Sequence, residues 1–336
     1  MNAPNTSRFD HVERLSDHRG MFEHAAGLIR REEHGYCTDD NARLLVVVAR
    51  EPDTGAAHRL GRLALRFVVD AQHPDGRTRN RMDCDGRWTD DFGTEDCWGR
   101  GVWGLGAMAA NHDSPSIRRT ALRAFDRAAR QRSRYSRAMA FASLGAAEVL
   151  SREPGHRRAS ALLVDMLQMV APVSAGAWAW PEPRLTYANA TLAEAVIVAG
   201  HALGMPDDVY RGLAMLEWLL EQETSRGHLS VVGVGGRGPD DDGPMYDQQP
   251  IEVAAMADAC WRAAAVTGDR SWLRGVAAAA RWFAGANDTG LPMFDDSSGG
   301  GFDGLQPDSV NLNQGAESTL ALISTMQRAR LLVLTP

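Results

Sequence analysis

The sequence predicts an all-α fold of the (α/α)6 toroid type, a ring of helical hairpins, on three observations. Alanine, leucine and arginine are abundant and long runs of β-branched residues are few, which favours helix over sheet. Segments apolar on nearly every side alternate with amphipathic ones. A helix apolar all round is buried and an amphipathic one keeps a wet face, so the alternation describes an inner and an outer layer. The segments are also joined by long polar loops that lead into the apolar helices and are rich in Gly, Pro, Asp and aromatics.

The elements follow in order. Asn41 to Glu51 is an apolar body preceded by Thr38-Asp39-Asp40, good capping material. His58 to Ala71 places Leu60, Leu63, Ala64, Phe67 and Val68 at helical spacing. Glu95 to Ala110 is apolar on nearly all sides, and Ser116 to Arg130 is amphipathic and charged. The same alternation repeats in Ala138 to Leu150 and Arg157 to Val170, in Asn189 to Leu203 and Asp207 to Glu223, and in Pro250 to Val266 and Ser271 to Ala284. Gly315 to Leu332 closes the chain. Six inner and five outer helices result, with the sixth outer helix missing or supplied by the N-terminal region. An open solenoid is the structural alternative, and the absence of a polar capping repeat counts against it. No linker divides the chain, so residues 9–336 are expected to form one domain behind a disordered N-terminus, 1–8.

Bulk properties exclude several functions. The 336 residues are 44% hydrophobic and 24% charged, an ordinary globular composition. The formal net charge of -7, with no basic stripe beyond the arginine-rich outer helix near 117–137, argues against nucleic-acid binding. No apolar run is long enough to cross a membrane and no signal-like segment opens the chain, so a cytoplasmic setting with reduced thiols is expected. Cys37, Cys84, Cys97 and Cys260 fit no zinc or redox spacing, and no metal or cofactor is expected. Oligomeric state is not legible.

The loops leading into inner helices share a chemistry. The first carries Tyr36, Asp39, Asp40, Asn41 and Arg43, and the second Glu95, Asp96, Trp98 and Arg100. The fourth carries Trp180, Glu182, Arg184, Tyr187 and Asn189, and the fifth Tyr246, Asp247, Gln248, Gln249 and Glu252. The last carries Asn313, Gln314 and Glu317. Carboxylates and amides take sugar hydroxyls and aromatic faces stack on sugar C–H surfaces, so a carbohydrate ligand is expected if these loops meet at one mouth. Asp and Asn at helix starts are also ordinary caps, but capping leaves the aromatics unexplained. Paired carboxylates are what glycosidic cleavage needs, one to protonate the leaving oxygen and one to activate water. Asp39 and Asp40 form the sharpest pair, and Asp247 or Glu317 is the expected partner.

As a set these strings resemble a bacterial and archaeal family of six-hairpin glycosidase-type proteins, some of them fused to or described as glycosyltransferases. The resemblance rests on Phe9-Asp10-His11, Gly35-Tyr36-Cys37-Thr38-Asp39-Asp40-Asn41, Glu95-Asp96-Cys97-Trp98-Gly99-Arg100, Tyr246-Asp247-Gln248-Gln249-Pro250-Ile251-Glu252 and Asn313-Gln314-Gly315-Ala316-Glu317. It spans nearly the whole chain and implies the toroid, a carbohydrate substrate and a glycosyltransferase partner. Ala188-Asn189 departs from the family's Asp-Asn, so the resemblance implies no catalytic role for that loop.

The expected function is therefore an inverting glycoside hydrolase acting on an oligosaccharide. A glycoside phosphorylase would use Arg43, Arg100 or Arg184 for phosphate. A sugar 2-epimerase or isomerase would need paired histidines. A non-catalytic glycan-binding domain is the remaining alternative.

Overall fold

The computed structural model describes residues 7–53, 55–171 and 176–334, and helices dominate it. They are α1 (Asp10–Arg14), α2 (Thr38–Val48), α3 (Gly55–Asp70), α4 (Asp96–Asn111), α5 (Pro115–Ala128) and α6 (Ser136–Arg152). α7 (Arg157–Met169), α8 (Asn189–Leu203), α9 (Pro206–Gln222), α10 (Pro250–Thr267), α11 (Leu273–Phe283) and α12 (Ala316–Leu334) follow. The strands among the described residues are two-residue antiparallel pairs that tie loops together, such as Tyr36–Cys37 against Arg81–Met82.

Local chemistry sets many of the boundaries. Proline opens α5, α9 and α10, where its missing N–H costs nothing. Gly268 ends α10 at φ 74°, a left-handed cap that other residues resist. The largest departure from expectation is at α2. It begins at Thr38, so Thr38, Asp39 and Asp40 form its first turn and none of them caps it. Among the described residues the N-terminal region contributes the five-residue α1 and no full outer helix.

Chain contacts divide the molecule into two compact units. The first comprises Phe9–Met169 with Ala202–Gly204, and the second comprises Met1–Arg8, Val170–His201 and Met205–Pro336. The expected disorder over 1–8 falls mostly on residues 1–6, outside the described residues. Arg8 donates to the carbonyl oxygen of Asp296 at 2.6 Å, and Ser7 accepts from Arg330 at 3.1 Å.

In the first unit α2, α4 and α6 are buried on nearly all sides, while α3, α5 and α7 each bury a single stripe. The inner helices touch through glycine. A Cβ on Gly99 would lie 2.2 Å from the Ala138 carbonyl oxygen, and one on Gly106 2.3 Å from that of Gly145. Such contacts let two backbones meet without intervening side chains. In the second unit α8 is buried from Asn189 through Gly200, and α10 and α12 are its apolar companions. α9 and α11 are the amphipathic elements.

Candidate functional site

The first unit presents a cluster of carboxylates and guanidiniums at the starts of α2 and α4. Asp39 accepts from Arg100 at 2.9 Å on one oxygen and from the Asn80 amide at 2.9 Å on the other. Arg100 also reaches Asp96 at 3.3 Å and lies over the Phe141 ring at 4.3 Å. Burial pushes the Asp39 carboxyl up. The charges of Arg100 and Arg43 and the hydrogen bonds from Arg100 and Asn80 outweigh burial and hold it below the ordinary carboxylate range. Its side chain keeps 17% exposure, so one side of it remains within reach of solvent.

Asp40 differs from its neighbour. It is 2% exposed, and its oxygens accept from Arg43 at 2.5 Å and from the Cys37 thiol at 3.0 Å. Expected as one of the paired catalytic carboxylates, Asp40 instead reads as structural, because its carboxyl is buried between Arg43 and Cys37. Burial and the negative charges of Asp40, Glu23 and Asp39 push the Cys37 thiol up. Glu23, Cys37 and Asp40 bring ligating atoms within 4.8 Å of one another, but Arg81 and Arg43 already pair with the two carboxylates. The set reads as an ion-paired network rather than a metal centre.

Several residues expected to touch a ligand are core. Tyr36 is fully buried, donates to Asp17 at 2.8 Å and packs on Phe22 at 4.2 Å. Asn41, also fully buried, receives the Met21 N–H at 3.1 Å and donates to the Cys37 carbonyl at 2.9 Å. Trp98 is buried and donates its indole N–H to the Ala128 carbonyl at 3.2 Å. Glu95 is exposed immediately before α4.

The second unit holds a cavity of about 200 Å3, lined by Thr186, Tyr187, Gln249, Glu252 and the strand-like run from Val232 to Gly236. Glu252, 5% exposed, accepts the Ala188 N–H at 2.6 Å and the Asn189 N–H at 3.4 Å, placing a carboxylate at the positive end of α8. Asn189 is fully buried and receives the Thr186 N–H at 3.0 Å. Tyr187 is 46% exposed beside it. Behind the wall lies Glu223, 2% exposed, whose Oε1 has no hydrogen-bond partner among the described residues. Burial, then the charge of Glu252, pushes the Glu223 carboxyl well above the ordinary range, against a hydrogen bond from Val232 and the charge of Arg237. Sequence reasoning missed Glu223, because its burial depends on the hairpin that folds back to bond Ser230 N–H to the Glu223 carbonyl at 2.8 Å.

The other expected residues of this unit divide. Asp247 and Glu317 are half-buried. Gln248 is fully buried, bonding Asp288 at 2.6 Å and the Trp282 indole at 3.3 Å, so it is structural. Tyr246 is half-buried, and burial and then Asp288 push its hydroxyl up. Trp180 is 3% exposed and stacks on Trp218, which removes it as a sugar platform. Glu182 is half-buried, its backbone carbonyl held by Trp178 at 2.8 Å. Arg184 pairs with Asp241 at 3.2 Å on the surface. Gln314 is buried and accepts from Ser298 at 2.7 Å, while Asn313 is half-buried. The start of α12 is held by Asp303, which accepts from the Gly315 N–H at 2.8 Å and the Ser318 hydroxyl at 2.7 Å. Asn80 and Asp303 were not anticipated. Both lie in the long loops whose length alone marked them as functional.

No protein-family model matches the chain, and no curated protein is similar to it in sequence. Solved structures do match in fold. A D-mannose isomerase superposes with a TM-score of 0.71 at 10% identity, over 97% of this chain and 95% of the other. The cellobiose 2-epimerase of Bacillus thermoamylovorans B4167 gives 0.70 at 10% identity, over 96% of each chain. A family 9 endoglucanase, J30, gives 0.56 at 14% identity, over 92% of this chain and 73% of the other. The chain therefore has the (α/α)6 six-hairpin fold, as the sequence predicted. At such identities the likeness concerns fold alone, and function must be argued from the side chains.

Proposed function

We propose that the chain is a carbohydrate-active enzyme that cleaves a glycosidic bond by carboxylate acid–base catalysis. Asp39 carries the reading: it is held ionised by Arg100 and Asn80 at the start of a buried helix, and one side stays within reach of solvent. An ionised carboxylate with a fixed orientation is what a general base for water requires. Asp247 and Glu317, the other expected carboxylates, are half-buried within the second unit. The phosphorylase alternative loses ground, because Arg43, Arg100 and Arg184 are each already paired with a carboxylate.

A second reading, a sugar epimerase or isomerase, is favoured by one observation beyond the names of the structural neighbours. His24 and His34 stand edge to face with ring centres 5.0 Å apart, half-exposed just before α2. Such a pair suits proton transfer at a carbon next to a carbonyl.

The test is a screen of gluco-, manno- and galacto-oligosaccharides, with and without phosphate, for reducing ends and phosphate release. Products are also examined for deuterium taken from heavy water at a sugar carbon. Hydrolysis lost in Asp39→Asn, with unchanged melting, is the expected result. Hydrolysis by Asp39→Asn at the native rate would overturn the role of Asp39. Deuterium incorporation that disappears in His24→Ala and His34→Ala would replace the hydrolase reading with the epimerase one.

A further inference from the structure

The cavity in the second unit holds a glycine that the fold does not demand. Gly233 is needed, since a Cβ there would meet the Tyr246 backbone at 2.7 Å, and Gly236 takes φ 71°. Gly235 lies between them with an ordinary φ, and a Cβ there would meet nothing within 4 Å. It lines the cavity, is itself exposed, and the space a side chain would occupy there is open.

The cavity's volume and chemistry define what fits. About 200 Å3 is below the roughly 300–1,000 Å3 of drug-sized sites and comparable to about six waters at roughly 30 Å3 each, the bulk of one pyranose ring. Tyr187 offers a half-exposed aromatic face, Gln249 an amide and Thr186 a hydroxyl. Glu252 is fixed by two backbone N–H groups and presents its carboxylate to the cavity lining. The buried Glu223 oxygen without a partner lies behind the same wall, next to Val232 and Glu252. The Glu252 carboxylate at the edge of so small a space disfavours an anionic guest.

We propose that this cavity is a subsite for a single neutral pyranose ring, with the ring's C–H face on Tyr187 and its hydroxyls on Gln249 and Glu252, and that Gly235 keeps it open. This rests on the carbohydrate reading above and specifies one end of the substrate: an uncharged sugar residue, not a uronic acid.

Calorimetric titration of the full chain with glucose, mannose, galactose and glucuronate, up to millimolar concentrations, tests it. At least one neutral sugar binds and glucuronate does not. Gly235→Val lowers that affinity tenfold or more, with melting unchanged. Tyr187→Ala weakens it similarly, an arm that holds if Gly235→Val fails to fold. Failure of every neutral sugar to bind, glucuronate binding as well as the neutral sugars, or native affinity in Gly235→Val or Tyr187→Ala overturns the subsite. Binding that responds to Gly235→Val without turnover on any oligosaccharide leaves the subsite standing and removes the hydrolase reading instead.

Discussion

Replacing Glu223 by glutamine should make the protein more stable at neutral pH, although it removes a buried ionisable group. Burial and the neighbouring Glu252 push the Glu223 carboxyl well above its ordinary value of 4.5, so the folded chain holds the proton where the unfolded chain has released it. A raised acid of this kind costs stability as pH climbs above 4.5, and the loss stops only once Glu223 ionises in the folded state. Within that window the cost grows by about 1.4 kcal/mol per pH unit. Glutamine keeps the shape, can accept the Val232 hydrogen bond, and brings an N–H2 toward the oxygen position that now has no partner. Thermal melts of native and Glu223→Gln protein from pH 4 to pH 8 should nearly coincide at the acid end and then diverge. The variant should gain roughly 2 °C for each kcal/mol, the lower end of the range for chains of this size. Parallel curves across the whole range, or a variant less stable at pH 8 than at pH 4 relative to native, would refute the argument that Glu223 is carried protonated.

Two further predictions concern the first unit. Arg100→Ala leaves Asp39 buried without its guanidinium and should cost about 3 kcal/mol in denaturant unfolding. Because Asp39 is held below 3.8 in the fold, the native advantage should be full at neutral pH and shrink as acid titrates Asp39; a pH-independent difference would contradict the pairing. Trp98→Phe removes one of two donors to the Ala128 carbonyl, which keeps the Gln131 N–H at 3.0 Å, and should cost about 1 kcal/mol, while turnover per folded molecule stays native; a changed substrate preference with native stability would return Trp98 to the binding surface.

Helix existence was legible because burial imposes its period on sequence, and α8 begins and ends where the pattern says. Boundaries mattered more for the site. The three-residue shift in the start of α2 decides between Asp39 and Asp40. Successive residues on a helix point about 100° apart, so one carboxylate meets Arg100 and solvent while the next is turned into Cys37 and Arg43. The aromatic reading failed at Tyr36, Trp98 and Trp180 for another reason. Each sits close to a carboxylate in sequence, Tyr36 before Asp39, Trp98 after Asp96 and Trp180 before Glu182, but nearness along the chain says nothing of which side of the backbone an indole or phenol takes. Tyr187 survived because it lies in a turn after Leu185, outside any helix. Glu223 looked like the last residue of a wet helix, and only the returning hairpin shuts it away.

The glycine contacts between α4 and α6 reach beyond packing. Gly99 adjoins Arg100, and Gly106 and Gly145 repeat the touch about 10 Å further along the axis. Two backbones in contact at separated points cannot tilt or slide independently, so the height at which Arg100 lies over the Phe141 ring of α6, and with it the reach of its guanidinium toward Asp39, is set well away from the chemistry. The same feature makes this unit brittle: a methyl group added deep between the helices would lever the guanidinium off its carboxylate, and a lesion far from any sugar would be felt first as a misplaced charge.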